Sequence, residues 1–150
     1  MKLITIILFL NFLFLPEKQY DKTYFANGKM KEEGWVVNNV KTDYWYFYYE
    51  NGKIKEEGRY DKGQKTDYWK YYNPNGTKRM EGRFQSNQPH AWWLFYANGK
   101  LSAKVEYSNG QKNGLTLLYK NGDLFKAEKY SRDKKLGEWT SYEAYRKDNP

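Results

Sequence analysis

Tyr48-Tyr49-Glu50-Asn51-Gly52-Lys53-Ile54-Lys55-Glu56-Glu57-Gly58-Arg59-Tyr60, followed by Tyr68-Trp69-Lys70-Tyr71-Tyr72, is the stretch that decides the fold. At its centre stands Asn51-Gly52. Asn-Gly between strand-forming runs is the strongest short-range hairpin signal, because a two-residue type I′ turn needs positive φ at both central positions. The same pair recurs at Asn27-Gly28, Asn75-Gly76, Asn98-Gly99 and Asn121-Gly122, with steps of 24, 24, 23 and 23 residues between successive glycines. A fixed period of this kind predicts one supersecondary unit copied five times. A repeat array offers an extended surface more readily than a single reactive pocket.

Fixed offsets from each turn glycine carry the rest of the unit. Six residues on are Gly34, Gly58, Gly82, Val105 and Glu128, and eight on are Val36, Tyr60, Phe84, Tyr107 and Tyr130. Seventeen on are Trp45, Trp69, Trp93, Thr116 and Trp139, and nineteen on are Phe47, Tyr71, Phe95, Leu118 and Ser141. The apolar positions alternate with period two, which predicts strands with one buried face. A second turn is expected eleven residues on, at Asn39, Gly63, Asn87, Gly110 and Asp133, where every residue tolerates positive φ. Asp43, Asp67, Ala91, Gly114 and Gly137 would close a loop of about six residues there.

The expected unit is therefore strand, loop, strand, tight Asn-Gly turn. In the second copy this gives strand Lys53 to Tyr60, loop Asp61 to Asp67 and strand Tyr68 to Tyr72. Short connections between consecutive strands favour antiparallel pairing. The predicted fold is all-β: an elongated meander or solenoid of about five antiparallel β-hairpin repeats of 23–24 residues. The four tryptophans would line one face. Lys53, Lys55, Glu57 and Arg59 would form a solvated face with cross-strand ion pairs. Asn109-Gly110 and Asn113-Gly114 read as a flexible loop in the fourth copy. Residues 17 to 23 and the weakly helical tail from Tyr142 would cover the open sheet edges.

On the other face of the second strands lie Tyr44, Tyr46 and Tyr48, then Tyr68, Lys70 and Tyr72, then Trp92, Leu94 and Tyr96. Half-exposed, that face is the candidate contact surface, carried by Tyr44, Tyr46, Tyr48, Tyr68, Lys70, Tyr72, Trp92 and Tyr96.

The chain has 150 residues, 20% of them aromatic, and a formal net charge of +8. Its mean hydropathy of −1.07 would fit disorder, but so many periodic aromatics argue for a packed sheet. The charge reads either as a solubilising surface or as attraction to an anionic partner. There is no cysteine, which excludes a disulfide framework, a thiolate metal site and a lipidated cysteine.

Residues 1–16 stand apart. Lys2 precedes the apolar run Leu3 to Leu15, and Pro16 ends it. The run is short of the roughly 20 residues needed to span a bilayer. It fits a hydrophobic signal-type helix, although no small-x-small cleavage pattern follows. The expected location is extracytoplasmic (periplasmic, envelope-associated or secreted). A cytoplasmic or N-terminally membrane-anchored protein is the alternative. The repeat domain is then 17–150, with the array at about 24–142.

The stretch quoted first resembles the MORN-repeat variant found in many bacterial proteins, which are often labelled antitoxins of the YwqK type. The resemblance covers roughly residues 24 to 142. It implies a solenoid of β-hairpins and a role in binding other molecules, which for the labelled proteins is a partner toxin.

The residues themselves point away from catalysis. His90 is the single histidine, in the expected loop Gln88-Pro89-His90-Ala91, and one imidazole cannot build a His-rich metal site. Glu32-Glu33 and Glu56-Glu57 could suggest acid–base work. They occupy equivalent places in two copies, however, and adjacent strand residues point to opposite faces. No cofactor or metal is implied. The expected function is a non-catalytic scaffold for protein–protein interaction. The alternatives are an antitoxin-like protein and a binding module for anionic glycan, lipid headgroup or nucleic acid.

Overall fold

The structure is a computed structural model that describes residues 17–149; the apolar segment 1–16 lies outside them. The strands are β1 (Lys18–Tyr24), β2 (Met30–Val37), β3 (Val40–Tyr48), β4 (Ile54–Asp61), β5 (Gln64–Tyr72) and β6 (Lys78–Gln85). They continue with β7 (Gln88–Ala97), β8 (Lys100–Ser108), β9 (Gln111–Lys120), β10 (Asp123–Ser131) and β11 (Lys134–Trp139), before helix α1 (Tyr142–Asp148). All eleven strands form one open antiparallel sheet in sequence order. The all-β hairpin meander read from the sequence is what the chain adopts.

The turns differ from the expectation in an ordered way. Asn98-Gly99 and Asn121-Gly122 have positive φ at both residues, as a two-residue I′ turn requires. At Asn27-Gly28, Asn51-Gly52 and Asn75-Gly76 only the glycine does. There the glycine N–H donates to the carbonyl three residues back, as from Gly52 to Tyr49, and Tyr49 N–H donates to Lys53. These are three-residue loops, a type I turn closed by a left-handed glycine. The asparagine Oδ1 accepts the N–H of the residue after the glycine in all three. Pro74 occupies the second position of such a turn, where its fixed φ is favoured. Dropping one loop residue at the later turns accounts for the shorter period of 23.

The six-residue loops do not form. Lys62-Gly63 is itself a tight turn with φ of 48° and 79°, and Asp61 pairs with Gln64 across it. Asn109-Gly110 is another such turn, so the fourth copy has no flexible loop there. Asp43, Asp67, Ala91 and Gly114 instead sit inside strands with positive φ, and the register of the preceding pairing shifts beside them. They are bulge residues. Glycine is needed at the last of these, where φ is 125° and a Cβ would strike the Glu106 carboxylate.

One face of the sheet carries the core. Trp45, Trp69 and Trp93 are 1%, 0% and 3% exposed. Each indole lies flat over a glycine of the preceding strand, and a Cβ on Gly34, Gly58 or Gly82 would fall inside the ring. The indole N–H donates to the carbonyls beside the bulge: Trp69 to Arg59 and Thr66 at 3.1 Å each. Above Trp69 the Lys65 ammonium sits 3.8 Å from the ring centroid, held at 2.9 Å by Glu56. Lys41 and Glu32 repeat this over Trp45. Phe47, Tyr60, Tyr71, Phe84 and Tyr107 join the indoles by stacked and edge contacts of 5.0–6.4 Å. The aromatic run ends at Tyr107. Beyond it Val105 replaces the glycine and Thr116 the tryptophan, and the two are register partners.

Trp139 does not extend this row. Ala127 pairs with both Leu117 and Trp139, which puts Trp139 on the opposite face from Thr116. There it packs edge-on to Tyr145 at 5.2 Å, and its indole N–H donates to Asp148 at 2.8 Å. Helix α1 therefore covers the underside of the last strands. Residues 18–24 form the first strand and are themselves the edge.

Candidate functional site

Period-two alternation places Tyr44, Tyr46, Tyr48, Tyr68, Lys70, Tyr72, Trp92 and Tyr96 on the face opposite the indole core, together with Tyr20 and Trp35. The structure thus brings all eight sequence-predicted residues to one face. Most are half-buried; Tyr68 and Trp92 are exposed.

That face is organised by Glu33, Glu57 and Glu81, and Glu57 does not lie on the solvated face that the sequence suggests. Glu57 and Glu81 are only 9% and 7% exposed. Tyr72 Oη donates to Glu57 at 2.6 Å, and Tyr44 Oη donates at 3.1 Å. Tyr48 donates to Glu33 at 2.7 Å, and Tyr96 donates to Glu81. Burial, then the nearby Glu33 and Glu81 charges, raises Tyr20 and Tyr68 above the ordinary tyrosine value. Each carboxylate is therefore held by a tyrosine of the following strand in three successive copies, and Glu57 also by Tyr44 of the strand before. Lys22, Lys70 and Lys78 supply the countercharges.

A buried carboxylate must be hydrogen-bonded and paired to stay ionised. The hydroxyl donors in turn are fixed as neutral phenols. Burial, then the nearby Glu57 charge, pushes Tyr44 up to about 12. Burial and the hydrogen bonds to their glutamates raise Tyr48, Tyr72 and Tyr96 further. For Glu81, desolvation works upward, but hydrogen bonds from Lys78 and Tyr96 outweigh it and leave the group below its ordinary value. The consequence is mechanical. Tyr44, Tyr48, Tyr72 and Tyr96 are tied at their hydroxyls, so these rings lose little further side-chain entropy on binding.

The sequence signal for these glutamates was their recurrence five residues after the turn glycine. Glu32 and Glu56 do separate from Glu33 and Glu57 onto opposite faces, each with its own partner. His90 lies within β7 as register partner of Arg83, not in a loop.

A second feature escaped the sequence reading. In the fourth copy Leu115 and Leu117 take the places of Tyr44 and Tyr46. With Leu124, Phe125, Ala127, Trp139, Tyr142 and Tyr145 they line an apolar cleft of about 430 Å³ between the sheet and α1. A bulge at Phe125 leaves it without a register partner on β9, and both Leu124 and Phe125 remain exposed.

Among the described residues no group of three or more His, Cys, Asp or Glu is placed to hold a metal, and no helix is long and apolar enough to cross a membrane. No curated protein matches the chain. A family model for the MORN repeat variant matches it at residues 44–62 and 94–109, each match spanning one hairpin across an Asn-Gly turn.

Proposed function

We propose that this chain is a non-catalytic scaffold that binds another protein, and that the apolar cleft beside α1 is its main contact. MORN repeats generally serve as protein- or membrane-binding scaffolds, which supports the class. The observation that carries the site is the exposure of Leu124 (54%), Phe125 (45%) and Tyr142 (70%) around that cleft. Adjoining exposed apolar side chains of this size mark interaction surfaces. The apolar run Leu3 to Leu15 supports export, which would place the partner in the cell envelope or outside. A toxin partner in the cytoplasm is the competing identity, supported only by the likeness to antitoxin-labelled repeat proteins.

A photo-crosslinking residue at position 125, compared with one at the Ser86-Asn87 turn, tests the reading in the native cell. A discrete adduct from position 125, abolished by Leu124→Glu, supports it. Equal adducts from both positions, or none from 125, contradict it. Fractionation of the same adduct decides between envelope and cytoplasm.

A further inference from the structure

The opposite end of the tyrosine face carries a different pattern. Tyr46, Glu57, Lys70, Glu81 and Leu94 pair straight across β3 to β7, so Tyr44, Tyr68 and Trp92, each two residues before a member of that line, take equivalent places on β3, β5 and β7. Arg59 pairs with Tyr44 and Arg83 with Tyr68, while the bulges put Thr66 and His90 opposite the arginines on their other side. Aromatic rings therefore recur every second strand, about 10 Å apart at the usual strand spacing, with a guanidinium between each pair. Tyr44 is tied at its hydroxyl by Glu57, and Tyr68 is 36% exposed. Trp92 is 37% exposed.

We propose that this row is a track for a linear polysaccharide of β-linked hexopyranose units, neutral or with at most one carboxylate per disaccharide. A flat pyranose offers an apolar C–H face that stacks on an aromatic ring while its hydroxyls meet polar rims, and aromatic side chains with polar handles suit this. Rings on alternate strands give a chain of such sugars a regular series of stacking places. The intervening arginines are placed to meet equatorial hydroxyls or a single carboxylate.

The charge pattern selects against a denser polyanion. Arg59 is already paired with Asp43 at 3.5 Å and Asp67 at 3.8 Å. The next bulge holds Ala91 where those two hold aspartate, and Arg83 forms no ion pair among the described residues. Glu106, register partner of Trp92, closes the row with a negative charge. One unpaired guanidinium flanked by carboxylates suits a sparsely charged chain. A nucleic acid, with one phosphate per nucleotide, would find a single unpaired cation where its binding needs several. The track lies at the other end of the face from the cleft beside α1, so it goes beyond the protein-binding reading and stands or falls separately.

Titration of the full chain with chitohexaose, cellohexaose and a hyaluronan hexasaccharide, followed by tryptophan fluorescence and calorimetry, tests it. Saturable binding to at least one is expected, tightening about tenfold or more from disaccharide to hexasaccharide, with little dependence on salt. Trp92→Ala should weaken it about tenfold or more, the scale of one aromatic stacking contact, with the melting temperature nearly unchanged. Phe125→Glu should leave it intact. Failure of all three sugars to bind overturns the proposal. So does steeply salt-dependent binding of an oligothymidylate in their place, or equal affinity of Trp92→Ala and wild type.

Discussion

The first three hairpins and the last two share a template but are held together differently. In β2 to β7 each tryptophan has a glycine to lie over and a left-handed bulge that frees a carbonyl for its N–H, and Trp45 and Trp69 also have a lysine above the ring. In β8 and β9 the bulge persists at Gly114, but the glycine seat and the indole are both gone. Val105 faces Thr116, both buried, and the last tryptophan moves to the other face to meet α1. Loss of the glycine and loss of the indole are one event, because a side chain at position 105 would occupy the ring's place. A repeat of this kind tolerates paired replacements and resists single ones.

The sharpest way to break the comparison is to truncate its two kinds of tryptophan. Trp69→Ala should cost about 3–5 kcal/mol, as for a large buried aromatic. Trp139→Ala, half-exposed against a short helix, should cost less than about half of that. Urea denaturation of the two variants gives the difference. Equal losses would erase the distinction between the ends.

Adding a methyl is nearly as informative. Gly58→Ala forces the Trp69 indole from its seat and should cost about 3 kcal/mol, the upper range for overpacking. Gly52→Ala has open space around it but a φ of 85° and should cost only about 1–2 kcal/mol.

The paired logic can be rebuilt. Thr116→Trp alone should destabilise, since Val105 stands where the ring must go. Combined with Val105→Gly it should recover, with a favourable coupling above about 1 kcal/mol in a double-mutant cycle. Strict additivity would mean that the two positions do not communicate.

Alkaline pH probes both faces, through Tyr44 beside Glu57 and Tyr60 in the indole core. Tyr44 and Tyr60 are raised to about 12, above the ordinary tyrosine value of 10. A group raised on folding stabilises the native state fully below its unfolded pKa and loses that contribution as pH rises toward the folded one. Stability should therefore hold up to about pH 10 and fall between 10 and 12, with tyrosinate absorbance appearing late and together with unfolding. Early, non-cooperative ionisation of most tyrosines would contradict the clamped arrangement.

The smallest effect concerns Thr116, whose buried Oγ1 has no hydrogen-bond partner. Thr116→Val should be neutral or stabilising by up to about 1 kcal/mol in thermal melts.

The hairpin count, both turn positions and the buried face of Trp45, Trp69 and Trp93 were legible because period and alternation are local properties of the chain. Turn type was not. Asn51-Gly52 and Asn98-Gly99 look alike, and only the extra residue before the asparagine tells a three-residue loop from a two-residue one. The bulges were mistaken for loop ends because Asp43 and Asp67 favour positive φ in either setting. Trp139 was misplaced because a one-residue register shift exchanges faces without altering the spacing from the turn. Glu57 was misread because its environment is built by tyrosines on two neighbouring strands, one of them in another copy. The cleft beside α1 depends on a helix docking that no periodicity announces.

Strand-resolved amide hydrogen exchange tests most directly whether the tryptophan-over-glycine stack is what makes this sheet firm. Protection should peak in β3 to β7, fall stepwise through β8 and β9, and be weakest in β1, β10 and β11. Uniform protection along the sheet, or a maximum in the strands beside α1, would contradict that origin of its stability.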